Sequence, residues 1–404
     1  MATAVDAPIV AAEREFARPL AGRASLFIRW QAMTQAAWRM MFHDKLKMIG
    51  TLFGVVFSVV LSNQQAGTFL GLVAKNTMFI DNCDADLWIV PKETQALLGG
   101  QQLSDAPLLQ AKVVPGVAWA EPLLFGTAAV KLPSGSTEAV TLIGTRAPGL
   151  HGGPWNIVAG SKDALKQPDT MIFEDSQRDQ LGGINLGSVR EVNGYKTHVG
   201  GFTWGLLPFA PSYAFADFEY AKTLTHTDND RLNYVLVGVL PGHDVQAVRA
   251  ELQRRVPEAE VVTKGELRTR TVRYVLLRTA IGVTLGSSAA FGLLVGFVIV
   301  SLTMFSGVVD NLREFGTLKA IGATTMDLAK LLFVQSVTFA LMGSVIGLAA
   351  VTFMAKGIRS AQLALMLPPE LFAGTVVLMV FLCVAASSLA LMRLRKLEPA
   401  MVFR

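Results

Sequence analysis

Long runs of apolar residues without a charged side chain are the main feature of the chain. They cover residues 48–74, 279–309, 331–355 and 371–392. A helix of about 20 apolar residues crosses the ~30 Å hydrocarbon core of a bilayer. The pattern therefore predicts four membrane-spanning helices rather than buried helices of a soluble core. Because the first two runs exceed that length, their helices are expected to continue into water.

The region between the first and second runs has a different pattern. Short β-rich segments occur at 86–91, 126–132, 139–144, 189–192 and 234–240. Turn-forming residues separate them, and a helix is predicted over 245–256 with Asp244 as its N-cap. The predicted fold class is an integral membrane α-helical protein with four transmembrane helices and a mixed α/β extracytoplasmic domain.

Basic residues beside the spans predict the orientation. They cluster before the first span, between the second and third, and after the fourth (Arg39, Lys45, Lys47; Arg313, Lys319, Lys330; Arg393, Arg395, Lys396). Short flanks rich in lysine and arginine stay in the cytoplasm. Both termini are therefore predicted to be cytoplasmic, and the domain between the first two spans lies outside.

This orientation divides the chain into ten predicted segments. They are a cytoplasmic tail (1–24), an amphipathic interfacial helix (25–45), the first span (46–75), the extracytoplasmic domain (76–275), a stalk with the second span (276–309), a cytoplasmic loop (310–330), the third span (331–355), an outer loop (356–370), the fourth span (371–392) and a second cytoplasmic tail (393–404).

The segment ahead of the first span has the periodicity of a helix. Its apolar stripe consists of Leu26, Trp30, Met33, Ala37 and Met41. Two interpretations stay open: a helix lying in the bilayer interface, or an ordinary helix packed on the protein. In both, the segment anchors the chain rather than catalysing a reaction.

The cytoplasmic loop also contains a short amphipathic helix. Leu312, Phe315, Leu318 and Ile321 recur every third residue, which predicts one apolar face. Gly322 is expected to end this helix. Either Thr324 or Thr325 caps the next helix. Such a helix suits a partner's groove, but the pattern alone is equally compatible with a connecting turn.

Composition supports the membrane prediction and excludes several functions. Charged residues make up 17% of the 404 residues, against about 25% in soluble proteins. The spans carry no ionisable side chain near their middle, which ion-coupled transporters need. The sequence has no G-x-x-x-x-G-K-[ST] phosphate loop, so the chain is not expected to hydrolyse ATP.

Catalytic and metal sites are not predicted. The five histidines do not pair at ligand spacing, and the two cysteines, Cys83 and Cys383, fall in different environments. No disulfide or zinc motif is therefore expected. Trp155 and Trp204 are expected to pack in the core of the outer domain rather than to bind a ligand.

Small residues recur at four-residue spacing in the second and third spans. The pairs are Gly282 and Gly286, Gly292 and Gly296, and Gly343 and Gly347. Glycines at this spacing let two membrane helices approach closely. General enrichment of glycine in membrane helices is the alternative, and the sequence leaves both open.

Several segments resemble one transporter family. Residues 313–323 (REFGTLKAIGA) are similar to the cytoplasmic-loop motif of permeases of the FtsX/MacB superfamily (type VII) of ABC transporters. Residues 393–400 (RLRKLEPA) and the entry to the first span, 38–54, resemble the same family. Within it, residues 84–90 (DADLWIV) resemble the DevC-like exporters.

The resemblance implies partners and a mechanism. Such permeases form homodimers, and each protomer binds an ABC ATPase that holds ATP and Mg²⁺. This chain is then a non-catalytic subunit without a cofactor. Its outer domain corresponds to a MacB-like periplasmic core, which receives ATP-driven motion through the long first and second spans. The coupling residues are Leu312, Arg313, Glu314, Phe315, Gly316, Leu318, Lys319, Ile321 and Gly322.

The implied function is the permease subunit of an exporter in the bacterial inner membrane. DevC-like members work with a periplasmic adaptor and an outer-membrane channel, and the substrate expected from them is amphiphilic. No nucleic-acid partner is expected. One alternative is an FtsX-like signal transducer that regulates an outer hydrolase without transport. Another is a membrane-anchored sensor or enzyme with no ATPase.

Overall fold

The computed structural model describes residues 23–43, 45–97, 101–207, 211–310, 312–357 and 365–395. These residues divide into two compact units. The membrane unit holds the described residues of Met1–Ala66, Ser288–Gly357 and Leu367–Arg404, and the sheet unit holds those of Gly67–Ser287 and Ile358–Met366. The predicted tails (1–24, 393–404) fall largely outside the described residues, and so does the middle of the predicted outer loop (356–370).

Ten helices lie within the described residues. They are α1 (Arg23–His43), α2 (Lys45–Asn82), α3 (Ala106–Ala111), α4 (Phe218–Thr225), α5 (Val245–Arg255), α6 (Lys264–Arg278), α7 (Ala280–Asp310), α8 (Leu312–Ala320), α9 (Thr325–Gly357) and α10 (Pro369–Arg395). Four of them, α2, α7, α9 and α10, are long and apolar enough to cross a membrane. The four predicted spans are therefore confirmed.

The first spanning helix continues beyond its apolar run. The prediction ended it at residue 75, whereas α2 ends at Asn82. In its last turns, the amides of Asn76 and Asn82 donate to carbonyls one turn earlier. Phe79 and Ile80 in the same turns are buried in the core of the sheet unit. Tertiary packing therefore extends the helix past the length that the apolar pattern predicts.

A bend at Thr279 interrupts the stalk and second span, which were predicted as one segment (276–309). α6 ends directly before this residue, and α7 begins directly after it. Its Oγ1 donates to the Val275 carbonyl at 2.6 Å and accepts from the Gly282 N–H at 3.1 Å. These side-chain hydrogen bonds compete with the helical backbone bonds, and the helix breaks there.

The sheet unit is built on one large mixed sheet. Its strands are β1 (Leu87–Pro91), β3 (Val117–Lys131), β4 (Thr137–Thr145), β5 (Ile157–Gly160), β6 (Thr170–Glu174), β7 (Val189–Val192), β8 (Tyr195–Thr203), β9 (Tyr213–Asp217), β11 (Tyr234–Val239) and β12 (Ala259–Thr263), while β2 (Leu103–Ser104) pairs with β10 (Arg231–Leu232).

The sheet order is β12-β1-β11-β3-β4-β9-β6-β8-β5, and β7 pairs with β3 and β8. The β4–β9 and β6–β8 pairs are parallel, and the others are antiparallel. Strands β1 and β6 are buried along their whole length, so both faces of the sheet carry core residues. The predicted mixed α/β class is confirmed.

Local signals place two features of this unit as predicted. Asp244 caps α5 by accepting a hydrogen bond from the Gln246 N–H. The hairpin of β3 and β4 closes over Pro133–Gly135, because the glycine adopts a left-handed φ of 90°. The predicted helix at 245–256 is thus confirmed to within one residue.

Candidate functional site

The cytoplasmic loop of the prediction is a helical hairpin in the membrane unit. α8 ends just before Gly322, whose φ of 104° reverses the chain. The next helix, α9, starts with a reciprocal cap. The Thr324 N–H donates to the Asp327 carboxylate at 3.0 Å, and the Asp327 N–H donates to Thr324 Oγ1 at 3.3 Å. The capping residue is therefore Thr324 rather than Thr325.

The apolar residues of α8 and of the turn that continues it do not share one face. Phe315 is 2% exposed, and Leu318 packs beside it, but Ile321 is 85% exposed. An α-helix advances about 300° in three residues, so a three-residue repeat rotates by roughly 60° at each step. Phe315 and Ile321 therefore point about 120° apart. The single docking face that the spacing predicts is divided into a buried part and an exposed part.

The buried part of α8 is held by two neighbouring helices. Phe315 lies in an apolar cluster with Ala37 of α1 and with Leu328, Leu331 and Leu332 of α9. This contact positions α8 against the spans. Among the predicted coupling residues, Phe315 thus belongs to the internal packing of the protein.

The exposed part of the hairpin forms a small surface around its turn. Among the predicted coupling residues, Arg313, Glu314, Ile321 and Gly322 are exposed, as is the neighbouring Met326, whereas Gly316, Leu318 and Lys319 are half-buried. The Leu312 side chain lies outside the described part. We name Ile321, Gly322 and Met326 the hairpin tip. Two large apolar side chains at the tip of a loop are typical of a surface that is covered by a partner.

Helix α1 combines the two arrangements that the sequence left open: one side packs on the protein, and the other side is exposed. Ala37 and Met41 of its predicted stripe are buried against the protein, and the Gln335 amide donates to the Ala37 carbonyl at 3.3 Å. Trp38 and Phe42 are exposed side by side, with ring centroids 5.8 Å apart. The stripe anchors α1 to α9, and the exposed aromatic pair suits the bilayer interface.

Four of the six predicted packing glycines lie against α2. A Cβ atom added to Gly343 or Gly347 would lie 2.5 or 2.6 Å from the side chain of Val55 or Val59, respectively. Gly292 and Gly296 of α7 approach Gln65 and Ser58 less tightly, with would-be Cβ distances of 3.1 and 3.4 Å. α7 and α9 thus use small residues to pack on one central helix.

The other two glycines have different surroundings. A Cβ added to Gly286 would meet only Phe69, at 3.8 Å. At Gly282 it would lie 1.8 Å from the Val275 carbonyl oxygen, across the bend at Thr279. Gly282 therefore serves the bend and not the packing between spans.

Buried hydrogen bonds join the spans as well, which the sequence did not predict. The Asn63 side chain of α2 is fully buried, donates to the Val59 carbonyl and accepts from Thr375 of α10 at 3.2 Å. Ser58 donates to the Gly296 carbonyl at 3.1 Å. The polar residues of the first run therefore connect helices within the unit.

The sheet unit contains a cluster of one histidine and two carboxylates. His151 Nδ1 lies 2.5 Å from an Asp84 carboxylate oxygen, and the backbone N–H of His151 donates to the Glu121 carboxylate at 3.4 Å. The Trp119 ring stacks on the imidazole at 3.6 Å. These residues come from distant segments, so spacing gave no signal for them.

The environment shifts the pKa values of the two carboxyl groups in opposite directions. Burial tends to raise the pKa of Asp84, but the hydrogen bond and charge of His151 outweigh it and hold that pKa below its ordinary value. Burial raises the pKa of Glu121, and the neighbouring His151 reverses this only in part. The first carboxyl stays charged to lower pH, while the second binds a proton more readily.

Asp84→Asn is expected to lower stability at pH 7 and to have a smaller effect at pH 3. The folded protein holds the pKa of Asp84 below about 3.9, its unfolded value, so its contribution is complete above that pH and disappears as pH falls through the folded pKa. Because Asp84 is 55% exposed, the loss is less than about 1 kcal/mol. Thermal unfolding at pH 7 and pH 3 measures it, and the exposed Asp105→Asn is the control. A loss as large at pH 3 as at pH 7 contradicts the assignment.

The two tryptophans of the outer domain differ from each other. Trp155 packs on Phe79 and Phe215 at the edge of the core, with centroid distances of 6.0 and 5.9 Å. Trp204 is 46% exposed, so the core prediction is wrong for this residue.

Cys83 is buried, and burial raises its pKa to about 12. Within the described residues, no group of three ligands for a metal ion is present.

Comparison with known proteins connects the membrane unit to one family. Residues 286–399 match the family model described as FtsX-like permease C-terminal. An uncharacterized ABC transporter permease of Methanocaldococcus jannaschii is 30% identical over 136 residues, which are 32% of this chain and 33% of that protein. The chain thus spans about a third of the length of this curated relative. The predicted FtsX-like resemblance is confirmed for the matched region.

Two solved structures show weaker similarity. The periplasmic region of MacB from Actinobacillus actinomycetemcomitans aligns with a TM-score of 0.37 and 9% identity, over 48% of this chain and 96% of that chain. The extracellular domain of the noncanonic ABC-type transporter YknZ from Gram-positive bacteria aligns with a TM-score of 0.32 and 15% identity, over 44% and 99%, respectively.

Proposed function

Because residues 286–399 match the family model of the FtsX-like permease C-terminal region, we propose that the chain is the membrane subunit of an ABC exporter. A separate ABC ATPase binds ATP and Mg²⁺ and docks on the hairpin tip. The chain itself catalyses no reaction and works as a homodimer. This assignment places the hairpin and both termini in the cytoplasm and the sheet unit outside the inner membrane.

The main observation that supports this proposal is the structure of the hairpin formed by α8 and the start of α9. Its inner side is fixed to the spans through Phe315, while Ile321 and Met326, 85% and 65% exposed, form an apolar tip. A docking element needs both properties, since the outer side must bind a partner and the inner side must transmit its movement. A mere connecting turn needs neither.

A route for the motion follows from the packing of the membrane unit. Displacement of α8 presses on Leu328 and Leu332 of α9 through the apolar cluster. α9 is seated against α2 at Gly347 and Val59, so it cannot slide without moving α2. Residues of α2 also belong to the core of the sheet unit. This continuous helix is the element that we propose carries the motion outward.

An exporter is favoured over the FtsX-like signal transducer by the size of the sheet unit, which is large for a regulatory contact. An amphiphilic substrate, a periplasmic adaptor and an outer-membrane channel complete the proposal. The transducer alternative shares the same ATPase contact. It differs only in that no substrate is transported, and a transport assay in proteoliposomes distinguishes the two.

Replacing both Ile321 and Met326 by aspartate is expected to weaken ATPase binding at least tenfold. Two carboxylates would have to be desolvated in an apolar contact, and a tenfold change needs only about 1.4 kcal/mol. The measurement is co-purification and titration of the full chain with the ABC ATPases encoded by its neighbouring genes.

The matched control places the same two charges elsewhere. Leu109 and Val113 are exposed apolar residues in the sheet unit, and replacing both by aspartate is expected to leave ATPase binding unchanged. If no ATPase binds the unmodified chain, or if both double variants bind it equally well, the proposed function fails.

A further inference from the structure

A basic cleft lies along helix α6 in the sheet unit. Its volume is about 500 Å³, and one wall consists of Arg270, Arg273, Tyr274, Leu277 and Arg278. These positions follow the i, i+3, i+4, i+7, i+8 spacing of a single helix face. The turn after β1 forms the other wall. The cleft thus combines three guanidinium groups with an aromatic and an aliphatic side chain.

Two of the three arginines are available for a ligand. Arg270 is held by Glu260 through two hydrogen bonds of 2.8 and 2.5 Å. Arg273 and Arg278 are exposed and form no ion pair with any residue in the described part of the chain. The lining holds one carboxylate, Glu93. The free side chains therefore leave a surplus of positive charge.

The opposite wall supplies polar groups in a fixed conformation. Glu93 has a left-handed φ of 64°, and Thr94 Oγ1 donates to the Pro91 carbonyl at 2.6 Å, which fixes the turn. The exposed amide of Gln95 also lines the cleft. A cleft with rigid walls loses little entropy on binding a ligand.

The position of the cleft along the chain indicates the kind of ligand. Arg278 lies four residues before Gly282, where the second candidate span begins. Tyr274 and the 69% exposed Leu277 share the face of the arginines. Tyrosine and arginine with apolar neighbours suit the headgroup level of a bilayer. In the orientation of the proposed function these arginines lie near the outer membrane surface, where basic residues are less common than on the cytoplasmic side, and an anion bound there would neutralise them.

We propose that this cleft binds the phosphate headgroup of an anionic phospholipid. Arg273 and Arg278 take the phosphate, because guanidinium groups match its oxygens in pairs of hydrogen bonds. Gln95 contacts the polar part of the headgroup, and Leu277 lies beside the acyl chains. The lipid holds the lower end of α6 at the membrane surface, next to the bend at Thr279.

The test measures binding of phosphatidylglycerol to the full chain in a nonionic detergent, with phosphatidylcholine and glycerol phosphate as the other two probes. Each basic residue near anionic lipid contributes about 1 kcal/mol, so the Arg273→Gln, Arg278→Gln double variant is expected to raise the Kd for phosphatidylglycerol about thirtyfold. Binding of phosphatidylcholine is expected to be weak and unchanged.

Two further variants keep the test decisive. Arg231→Gln with Arg254→Gln removes the same charge elsewhere in the sheet unit and is expected to change the Kd less than twofold. Glu93→Gln removes the repelling carboxylate and is expected to lower the Kd.

Three results overturn the assignment. They are an equal loss in both double variants, weaker binding by Glu93→Gln, or glycerol phosphate binding as tightly as the lipid, which would indicate a site for soluble phosphate. None of these measurements involves an ATPase, so they are independent of the proposed function.

Discussion

Phe315→Ala is expected to destabilise the membrane unit by about 3–5 kcal/mol, the usual cost of removing a buried phenylalanine. The ring lies between Ala37 of α1 and Leu328, Leu331 and Leu332 of α9. Alanine would leave a cavity there, because these helices are also fixed at other contacts and cannot close it. Unfolding of the full chain by added SDS in mixed micelles measures the loss.

The matched control is Phe353→Ala, which removes the same ring from a side chain of α9 that is 80% exposed. It is expected to change the unfolding free energy by less than about 0.5 kcal/mol. Equal effects of the two substitutions would show that Phe315 is not internally packed. A large loss at Phe315 alone agrees with the structure.

Substitutions at Phe315 and at the hairpin tip distinguish internal packing from docking of a partner. Phe315→Ala is expected to lower both stability and coupled ATPase activity, since α8 loses its support. Aspartates at Ile321 and Met326 are expected to lower ATPase binding at unchanged stability, because both side chains are exposed. A substitution at Phe315 therefore cannot by itself identify the surface that binds the partner, although the sequence motif contains Phe315 and Ile321 alike.

Glu174→Gln is expected to destabilise the sheet unit by about 3 kcal/mol. The carboxylate is fully buried and accepts hydrogen bonds from the N–H groups of Gly205 and Leu206 at 2.8 and 3.0 Å, and from Thr203 and Ser176 at 3.1 and 3.0 Å. Glutamine would turn one oxygen into an NH₂ group that faces donors. Each buried donor left without an acceptor costs about 1–3 kcal/mol.

The urea midpoint of the full chain, followed by tryptophan fluorescence, measures this loss. Trp88, Trp119 and Trp155 are buried or partly buried in the sheet unit and report its unfolding. The control is Glu191→Gln, because Glu191 pairs with Lys131 at 2.9 Å on the surface. Its expected cost is below about 1 kcal/mol. If both variants shift the midpoint equally, Glu174 has no structural role beyond its charge.

Several features of the fold could be predicted because their physical cause is local. The spans follow from uncharged runs that must satisfy their backbone groups inside a bilayer. The end of α8 follows from the backbone conformation of Gly322, and the start of α9 from the Thr324 hydroxyl, which accepts a hydrogen bond from an N–H three residues later. The helix cap at Asp244 is of the same kind.

Other features could not be predicted because they depend on contacts between distant segments. Periodicity gave α8 an apolar stripe, but only the positions of α1 and α9 decide that Phe315 is buried and Ile321 is not.

The sequence by itself thus determined which parts of the chain enter the membrane and which family motif it carries, since both depend on the order of residues. The tertiary structure alone decided which residues meet. It joined Asp84 to His151 and placed Arg273 opposite Glu93 in one cleft. The physical reason is that charge and burial act through space, and their partners lie tens of residues or more away along the chain.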